Sequence, residues 1–393
     1  MSAAILMPRR IHVGAGAIDK LAETLTEFGF RRPLIVTDPF IASCGYLTRV
    51  EELLAAAGFE VAVFDQCVPD PTTDSVASGL ECLRTSGADV LVGLGGGSSI
   101  DTAKTMAVLA ERDGPLRDYK VPNRLDSGLP VIAIPTTAGT GSEATNASVV
   151  TDADTDEKML CLGMGLMPMA ALVDYELTLS MPRRLTADTG LDTLCHALEA
   201  FVSKKANPFT DALALDVVAA VVKWLPIACA SPDNREAREA MMMAAMKGGM
   251  AFSNASVTLI HGMSRPVGAH FHVPHGMSNA MLLPAVTAWS VNGAPERYAL
   301  AARAMGFADP LDSQSKALEA LIKGLHGLCR DLGVPSPEAF GVSETDWFAA
   351  VPVMAQQALA SGSPANNPRV PDAATIEQLY SDIWRGEVNL SLA

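Results

Sequence analysis

Residues 261–275 read HGMSRPVGAHFHVPH, and no other stretch limits the fold of this chain more. Four of its seven histidines fall here, at positions 261, 270, 272 and 275. Imidazole is polar and seldom collects at core positions, whereas its neutral form is the commonest protein ligand for zinc, iron and copper. Pro266, Gly268 and Pro274 interrupt the stretch, so one regular helix cannot carry all four rings. The expectation is a helix end and the loop after it, delivering some of these rings to a metal ion. Which rings turn inward is left open by the sequence.

The rest of such a site is visible upstream. In Gly190-Leu-Asp192-Thr-Leu-Cys-His196 a carboxylate and an imidazole stand at i and i+4, on one helix face. Leu191, Leu194, Ala197 and Leu198 surround them with apolar groups, and burying the pair unpartnered is costly. A direct Asp–His hydrogen bond would be one remedy; the downstream histidines favour the other, a shared metal. One carboxylate with imidazoles suits zinc or ferrous iron alike. Cys195 points about 100° away from His196 and is assigned to the core.

The first 180 residues alternate apolar runs with helical periods. Strands are expected at Pro33–Thr37, Val61–Phe64, Val90–Leu94, Val131–Pro135 and Ala171–Val173, with helices such as Ala17–Phe28 and Leu47–Ala57 between them. That rhythm predicts a parallel, doubly wound sheet. From about Arg183 the strand signals vanish and helical periods run through Ala187–Val202, Asp211–Leu225 and Arg235–Phe252. The expected organisation is an α/β domain over 1–182 and an all-α domain over 183–393. The loop Ser361–Pro368 is expected to be mobile.

Val90–Leu94 runs directly into Gly95-Gly96-Gly97-Ser98-Ser99 and then Asp101. A strand, a glycine turn and a helix start form a phosphate cradle, because glycine lets the backbone approach a pyrophosphate and the helix presents free N–H groups. Ser98 and Asp101 also have the spacing of a capping box. The run is not GxGxxG, so the common dinucleotide fingerprint is absent. Asp38, just after a strand, could accept hydrogen bonds from a ribose and would repel a 2′-phosphate, favouring NAD over NADP; it could equally form a turn before Pro39. Pro135-Thr-Thr-Ala-Gly-Thr-Gly-Ser-Glu143 offers a second glycine- and hydroxyl-rich loop for a polar ligand.

A net charge of −15 argues against nucleic acid or an anionic membrane as partner. The opening MSAAILMPRRIHVG has no long apolar region, and no later stretch reaches a membrane span without polar interruption. The seven cysteines show no CxxC pair and no disulfide rhythm. A cytoplasmic protein is expected, and its eighteen methionines read as core gap-fillers.

Taken together, GGGSSID, PTTAGTGSE, Asp192-x-x-x-His196 and the HG…PHG stretch resemble the iron-containing (group III) alcohol dehydrogenases, and the resemblance spans essentially the whole chain. It implies a dehydroquinate synthase-like architecture with an N-terminal NAD(P)-binding α/β domain and a helical metal-binding domain. It implies Asp192, His196, His261 and His275 as ligands of Fe²⁺, with Zn²⁺ as the other candidate. It implies Asp38, Gly96, Gly97, Ser98, Asp101, Thr136, Thr137, Thr140 and Lys158 as cofactor contacts. His270 and His272 fall off the ligand positions and become catalytic candidates, lining the pocket, standing behind the ligands, or carrying the proton together with water or a ribose hydroxyl chain. The expected reaction is hydride transfer between NAD and a small primary alcohol or aldehyde, in a homodimer or higher homo-oligomer. A metal- and NAD-dependent lyase or cyclase of the dehydroquinate synthase type is the alternative enzyme, and a non-enzymatic metal- or nucleotide-binding protein the third class. One departure stands out. Where many family members carry a second histidine four residues after the first, this chain has Arg265. A guanidinium cannot shuttle protons at neutral pH but can grip a carboxylate, sulfonate or phosphonate. An Asp or Glu partner within the protein is the competing expectation for Arg265.

Overall fold

The computed structural model describes residues 3–388. It contains two compact units, Ile5–Met181 and the chain from Pro182 onward. Among the described residues the first unit has strands β1 (Arg10–Val13), β2 (Pro33–Val36), β3 (Ala62–Phe64), β4 (Val90–Gly95), β5 (Val131–Pro135), β6 (Ala147–Thr151), β7 (Lys158–Leu162) and β8 (Ala170–Val173). Helices α1 (Leu21–Phe28), α2 (Pro39–Ser43), α3 (Tyr46–Ala56), α4 (Thr73–Ser86) and α5 (Gly97–Leu109) lie among them. Six strands form one all-parallel sheet in the order β1-β8-β5-β4-β2-β3, while β6 and β7 pair antiparallel beside it.

Both faces of the sheet are covered. Ile35, Val90, Val92 and Ile132 pack with Leu21, Leu25, Val50 and Leu54 of α1 and α3. Leu34, Val36 and Leu91 point the other way, against Val76, Leu80, Ala103 and Met106 of α4 and α5. A strand buried on both sides must be apolar at every position, which is why these strands read as continuous runs. The hairpin and β1 were not expected. β6 and β7 alternate between buried and half-buried residues, as strands with one covered face do, and β1 holds only one edge of the sheet.

From β2 the chain moves outward to β3, and from β4 it moves the other way to β5. The carboxyl ends of β2 and β4 therefore flank a topological switch point, where open α/β sheets bind ligands. Asp38 follows β2 and Gly95-Gly96-Gly97 ends β4, so the fold brings the two candidate cofactor segments to one crevice. The glycines there are sterically required. Gly93 packs on the Ile100 backbone, and a Cβ on Gly95 (φ +151°) would meet Ser99 and Asp38 at 2.5 to 3.3 Å.

The second unit is helical: α6 (Arg183–Val202), α7 (Pro208–Ala230), α8 (Arg235–Ala255), α9 (Leu259–Phe271), α10 (His275–Ser290), α11 (Pro295–Ala304), α12 (Gln314–Asp331), α13 (Pro337–Phe340), α14 (Glu344–Ala360) and α15 (Ala373–Arg385). Helix α6 is central, packed by α7, α8 and α10 and buried along nearly its whole length. By length and composition α7 could cross a membrane, but it packs against α6 and α8 and carries Asp211, Asp216 and Lys223. Two expectations need correction. Pro266 does not end α9, which continues to Phe271 with one backbone hydrogen bond forgone. The segment 361–368 is anchored, because it forms a 3₁₀ turn and Asn367, buried, donates to Ser290 Oγ and the Arg369 carbonyl.

Replacing Gly95 by alanine should destabilise the protein by about 1–3 kcal/mol, the range for side chains forced into a sparsely populated backbone region. A chemical denaturation midpoint unchanged from the parent would show that the turn can relax.

Candidate metal centre and phosphate cradle

Four side chains from three helices converge in the second unit. Asp192 and His196 come from α6, His261 from the first turn of α9 and His275 from the first residue of α10. Their potential ligand atoms all lie within 4.8 Å of one another. Asp192 Oδ1 is 3.7 Å from His196 Nε2, 3.4 Å from His261 Nε2 and 3.6 Å from His275 Nε2. A tetrahedral ion with bonds of about 2.0–2.1 Å would set its ligands roughly 3.4 Å apart, so the donors have the right separation.

Glycine permits the close approach of α10 to α6, and of α9 to the 363–366 turn. A Cβ on Gly276, next to His275, would lie 2.4 Å from the Asp188 carbonyl of α6, and one on Gly262 would lie 2.7 Å from Pro364. The His-Gly dipeptides of the sequence are thus candidate ligand positions, each followed by a point of close approach. His196 is held between two rings, stacked on Phe252 at 4.2 Å and on His261 at 4.6 Å.

The electrostatics of the cluster centre on the buried Asp192 carboxylate. Burial pushes the Asp192 carboxyl up, but the His196, His275 and His261 rings outweigh it and hold the group well below the usual carboxylate range. Burial drives His196 down to about 3, whereas Glu199 and Asp192 overcome burial at His261 and raise it to about 9. The Asn279 amide Nδ2 sits 2.7 Å from Asp192 Oδ1, 3.1 Å from His261 Nε2 and 3.3 Å from His275 Nε2. The Asn279 Oδ1 and His196 Nδ1 atoms are buried without partners. The donor set therefore fits a divalent cation. His275 has 37% of its side chain exposed, against 2–5% for the other three, which leaves one approach from solvent.

Sequence reasoning missed Glu199, although its spacing was informative: Asp192, His196 and Glu199 recur at i, i+4 and i+7 on one face of α6. Glu199 Oε2 lies 2.5 Å from His261 Nδ1. Arg265, one turn after His261, is half-buried and donates to Ser363 Oγ at 3.0 Å. It makes no ion pair among the described residues, so the expected Asp or Glu partner is not there. His270 and His272 are not gathered with the four. His270 lies about 180° around α9 from His261 and is bonded to Gln357 at 2.9 Å, while His272 is an exposed left-handed residue capping α9.

In the first unit the glycine turn meets the hydroxyl-rich loop. A Cβ on Gly96 would touch Thr137 at 3.3 Å and one on Gly97 would collide with Thr140 at 2.7 Å. Thr136 is buried, its N–H bonded to the Gly95 carbonyl. Gly96 begins α5 without a side-chain cap, which leaves N–H groups near Ser98 for a ligand. The capping box is absent because Gly96 is the N-cap of α5, which places Ser98 and Asp101 inside the helix; Asp101 accepts from Ser142 Oγ at 2.5 Å and Val149 N at 2.9 Å, tying the loop and β6 to α5. Asp38 caps α2 through Ile41 N at 3.0 Å, and its other oxygen accepts from Ser99 Oγ at 3.2 Å. Lys158 pairs with Asp70 at 3.1 Å.

Comparison with known proteins agrees with this plan. Residues 8–175 match the family described as iron-containing alcohol dehydrogenase, and residues 186–384 match its C-terminal domain. The NAD-dependent methanol dehydrogenase of Bacillus methanolicus is 37% identical over 372 residues, 94% of this chain and 97% of that protein. The crystal structure of a 1,3-propanediol oxidoreductase superposes with a TM-score of 0.93 at 34% identity, covering 98% of this chain and all of that one. A sulfoacetaldehyde reductase from Bifidobacterium kashiwanohense, solved in complex with NAD⁺, gives 0.87 at 30% identity over 98% of this chain and 99% of that one. The protein is an oxidoreductase acting on alcohols. It belongs to the iron-containing alcohol dehydrogenase family.

One buried group in the first unit invites a pH test. Glu143 is 1% exposed with neither carboxylate oxygen hydrogen-bonded, and burial pushes it up to about 7. Burial lowers its neighbour Lys104 to about 8, opposed by Asp101 and Glu143. A carboxyl raised on folding binds its proton more tightly in the folded chain, so its contribution to stability falls as pH rises between the ordinary value and about 7. Glu143→Gln lacks that loss, so its thermal stability relative to the parent should increase as pH rises from 4.5 to about 7 and level off above. A difference in melting midpoint that stays constant with pH would mean that Glu143 is ionised throughout.

Proposed function

We propose that the protein is a NAD-linked, metal-dependent alcohol dehydrogenase that also acts as an aldehyde reductase on small primary substrates. The observation that carries this reading is the convergence of three imidazole Nε2 atoms on one Asp192 oxygen. Asp192, His196, His261 and His275 would hold the ion, Fe²⁺ by family and Zn²⁺ by donor chemistry. When bound, such an ion supplies Lewis-acid polarisation of the substrate oxygen, of the kind that takes the pKa of water on zinc from about 15.7 to about 7.

The cofactor is assigned to the switch-point crevice. Gly96, Gly97 and Ser98 bring backbone N–H groups to its pyrophosphate, and Thr136, Thr137 and Thr140 line the opposing loop. Asp38 retains lone pairs beyond its bonds to Ile41 and Ser99 and would accept from ribose hydroxyls while repelling a 2′-phosphate. Asp101 fixes the loop by its bonds to Ser142 and Val149, and Lys158 contributes a local cation.

Arg265 sets the substrate class in this reading: an alcohol or aldehyde bearing a carboxylate, sulfonate or phosphonate. Its guanidinium is short of acceptors, with one hydroxyl partner, and none of its unpartnered nitrogens is sealed from solvent. A related enzyme is named for an aldehyde of this kind, sulfoacetaldehyde.

Metal-stripped protein should regain alcohol-dependent reduction of NAD, in preference to NADP, when Fe²⁺ is restored anaerobically or Zn²⁺ is added. Asp192→Ala should not recover. Activity that survives chelation undiminished would remove the metal from the reaction. Arg265→Ala should raise KM for an anionic substrate roughly 10- to 100-fold, as expected for loss of a charge-assisted hydrogen bond, and leave a short neutral alcohol nearly unaffected. Equal losses on both substrates would refute the anion grip without touching the metal assignment.

A further inference from the structure

We infer that Glu199 is a positioning residue for the metal centre, fixing which nitrogen of His261 can ligate while also capping the helix that carries it. The inference rests on the metal reading above and extends it to a residue outside the ligand set. Glu199 is 1% exposed. Its Oε2 faces His261 Nδ1 at 2.5 Å. Its Oε1 accepts from Ile260 N at 2.7 Å, Thr258 Oγ1 at 2.8 Å and His261 N at 3.4 Å. Those N–H groups belong to the first turn of α9, whose own N-cap residue, Thr258, makes no side-chain capping bond. A carboxylate at this end also meets the positive pole of the helix.

The chemistry of the two ends makes glutamate specific here. To ligate through Nε2, a neutral imidazole must carry its one proton on Nδ1, so the group facing Nδ1 must accept. The group facing Ile260 N and His261 N must also accept. Only a carboxylate accepts at both ends. A glutamine has one acceptor and one donor, so it either leaves the α9 N–H groups facing an amide or turns its NH₂ toward Nδ1. The second choice drives the His261 proton to Nε2, where it blocks the lone pair. Glu199 thereby couples the start of α9 to the ligand that α9 presents.

The test compares Zn²⁺ affinity with fold stability. Metal-stripped parent, Glu199→Gln, Glu199→Asp, Thr258→Val and His261→Ala are titrated with Zn²⁺ against a chromophoric chelator, and the thermal midpoint of each metal-free protein is recorded. Glu199→Gln should weaken Zn²⁺ binding by roughly 10- to 100-fold, the usual consequence of removing a partner of a ligating histidine. Thr258→Val removes a bond to the same carboxylate without touching His261, so it should lower the midpoint but not the affinity. Glu199→Asp keeps two acceptors and should fall between the parent and glutamine. If Glu199→Gln cannot be purified, Glu199→Asp against Thr258→Val decides: weaker affinity in the aspartate variant alone supports the inference, and equal affinities overturn it. A parent-like affinity in Glu199→Gln, with His261→Ala severely weakened, overturns the role of Glu199 and leaves the metal centre standing. A parent-like affinity in His261→Ala shows that the metal centre itself is misassigned, and the inference falls with it.

Discussion

The second unit depends on how it manages charge buried on α6. Asp192, His196 and Glu199 lie on one face of a helix that is almost wholly inside the protein. An isolated carboxylate in such a place is prohibitively costly unless it is paired or binds a cation. Every neighbour of the face answers that cost. His261 is placed between Glu199 and Asp192, and His275 and Asn279 arrive on one turn of α10. The close approach that permits this requires the bare Cα of Gly276 against the Asp188 backbone. The packing of α6, α9 and α10 is therefore inseparable from the polar cluster they share.

The first unit solves a different problem with the same economy. Its crevice at the ends of β2 and β4 is narrow because the glycines of the turn lie against Thr137, Thr140, Ser99 and Asp38. Side chains are removed where a backbone must approach a ligand, and the surrounding hydroxyls and carboxylates are tied to one another. Asp101 shows the principle. A carboxylate in the second turn of its helix secures a loop and a strand some forty residues away, through Ser142 and Val149. Glycine at the N-cap leaves the start of α5 without a side-chain cap, which is the state an anion-binding helix end needs.

How much of this was legible in the sequence follows from the range of each interaction. Central parallel strands announce themselves as unbroken apolar runs, since burial on both faces dictates every position. The weak elements were those with one covered face or one neighbour: β1, β6 and β7. Periodicity located the Asp192–His196 pair, but it could not choose among His261, His270, His272 and His275. That choice depends on how α9 ends at the left-handed His272 and how α10 restarts at Pro274-His275, a tertiary matter. Pro266 misled for a related reason, because helix packing outweighed a local penalty. Glu199 escaped notice since a glutamate on a helix usually faces water, and only the burial of α6 reveals otherwise.

In the proposed reading, α9 would carry both a metal ligand and the residue that selects the substrate. His261 and Arg265 stand one turn apart, so the same helix that offers a ligand also offers a permanent positive charge. Burial works against that charge, and Glu199 is the carboxylate whose field favours it. Yet Glu199 is already engaged by His261 and by the first turn of α9. Ser363 supplies a dipole, not a counter-charge. That shortage of counter-charge is what the proposed grip on an anionic substrate rests on. A histidine at the same place could become neutral and would carry no such requirement. Under the proposed reading, arginine where many family members carry histidine would exchange a titratable group for a fixed demand on the substrate, with the four candidate metal ligands left as they are.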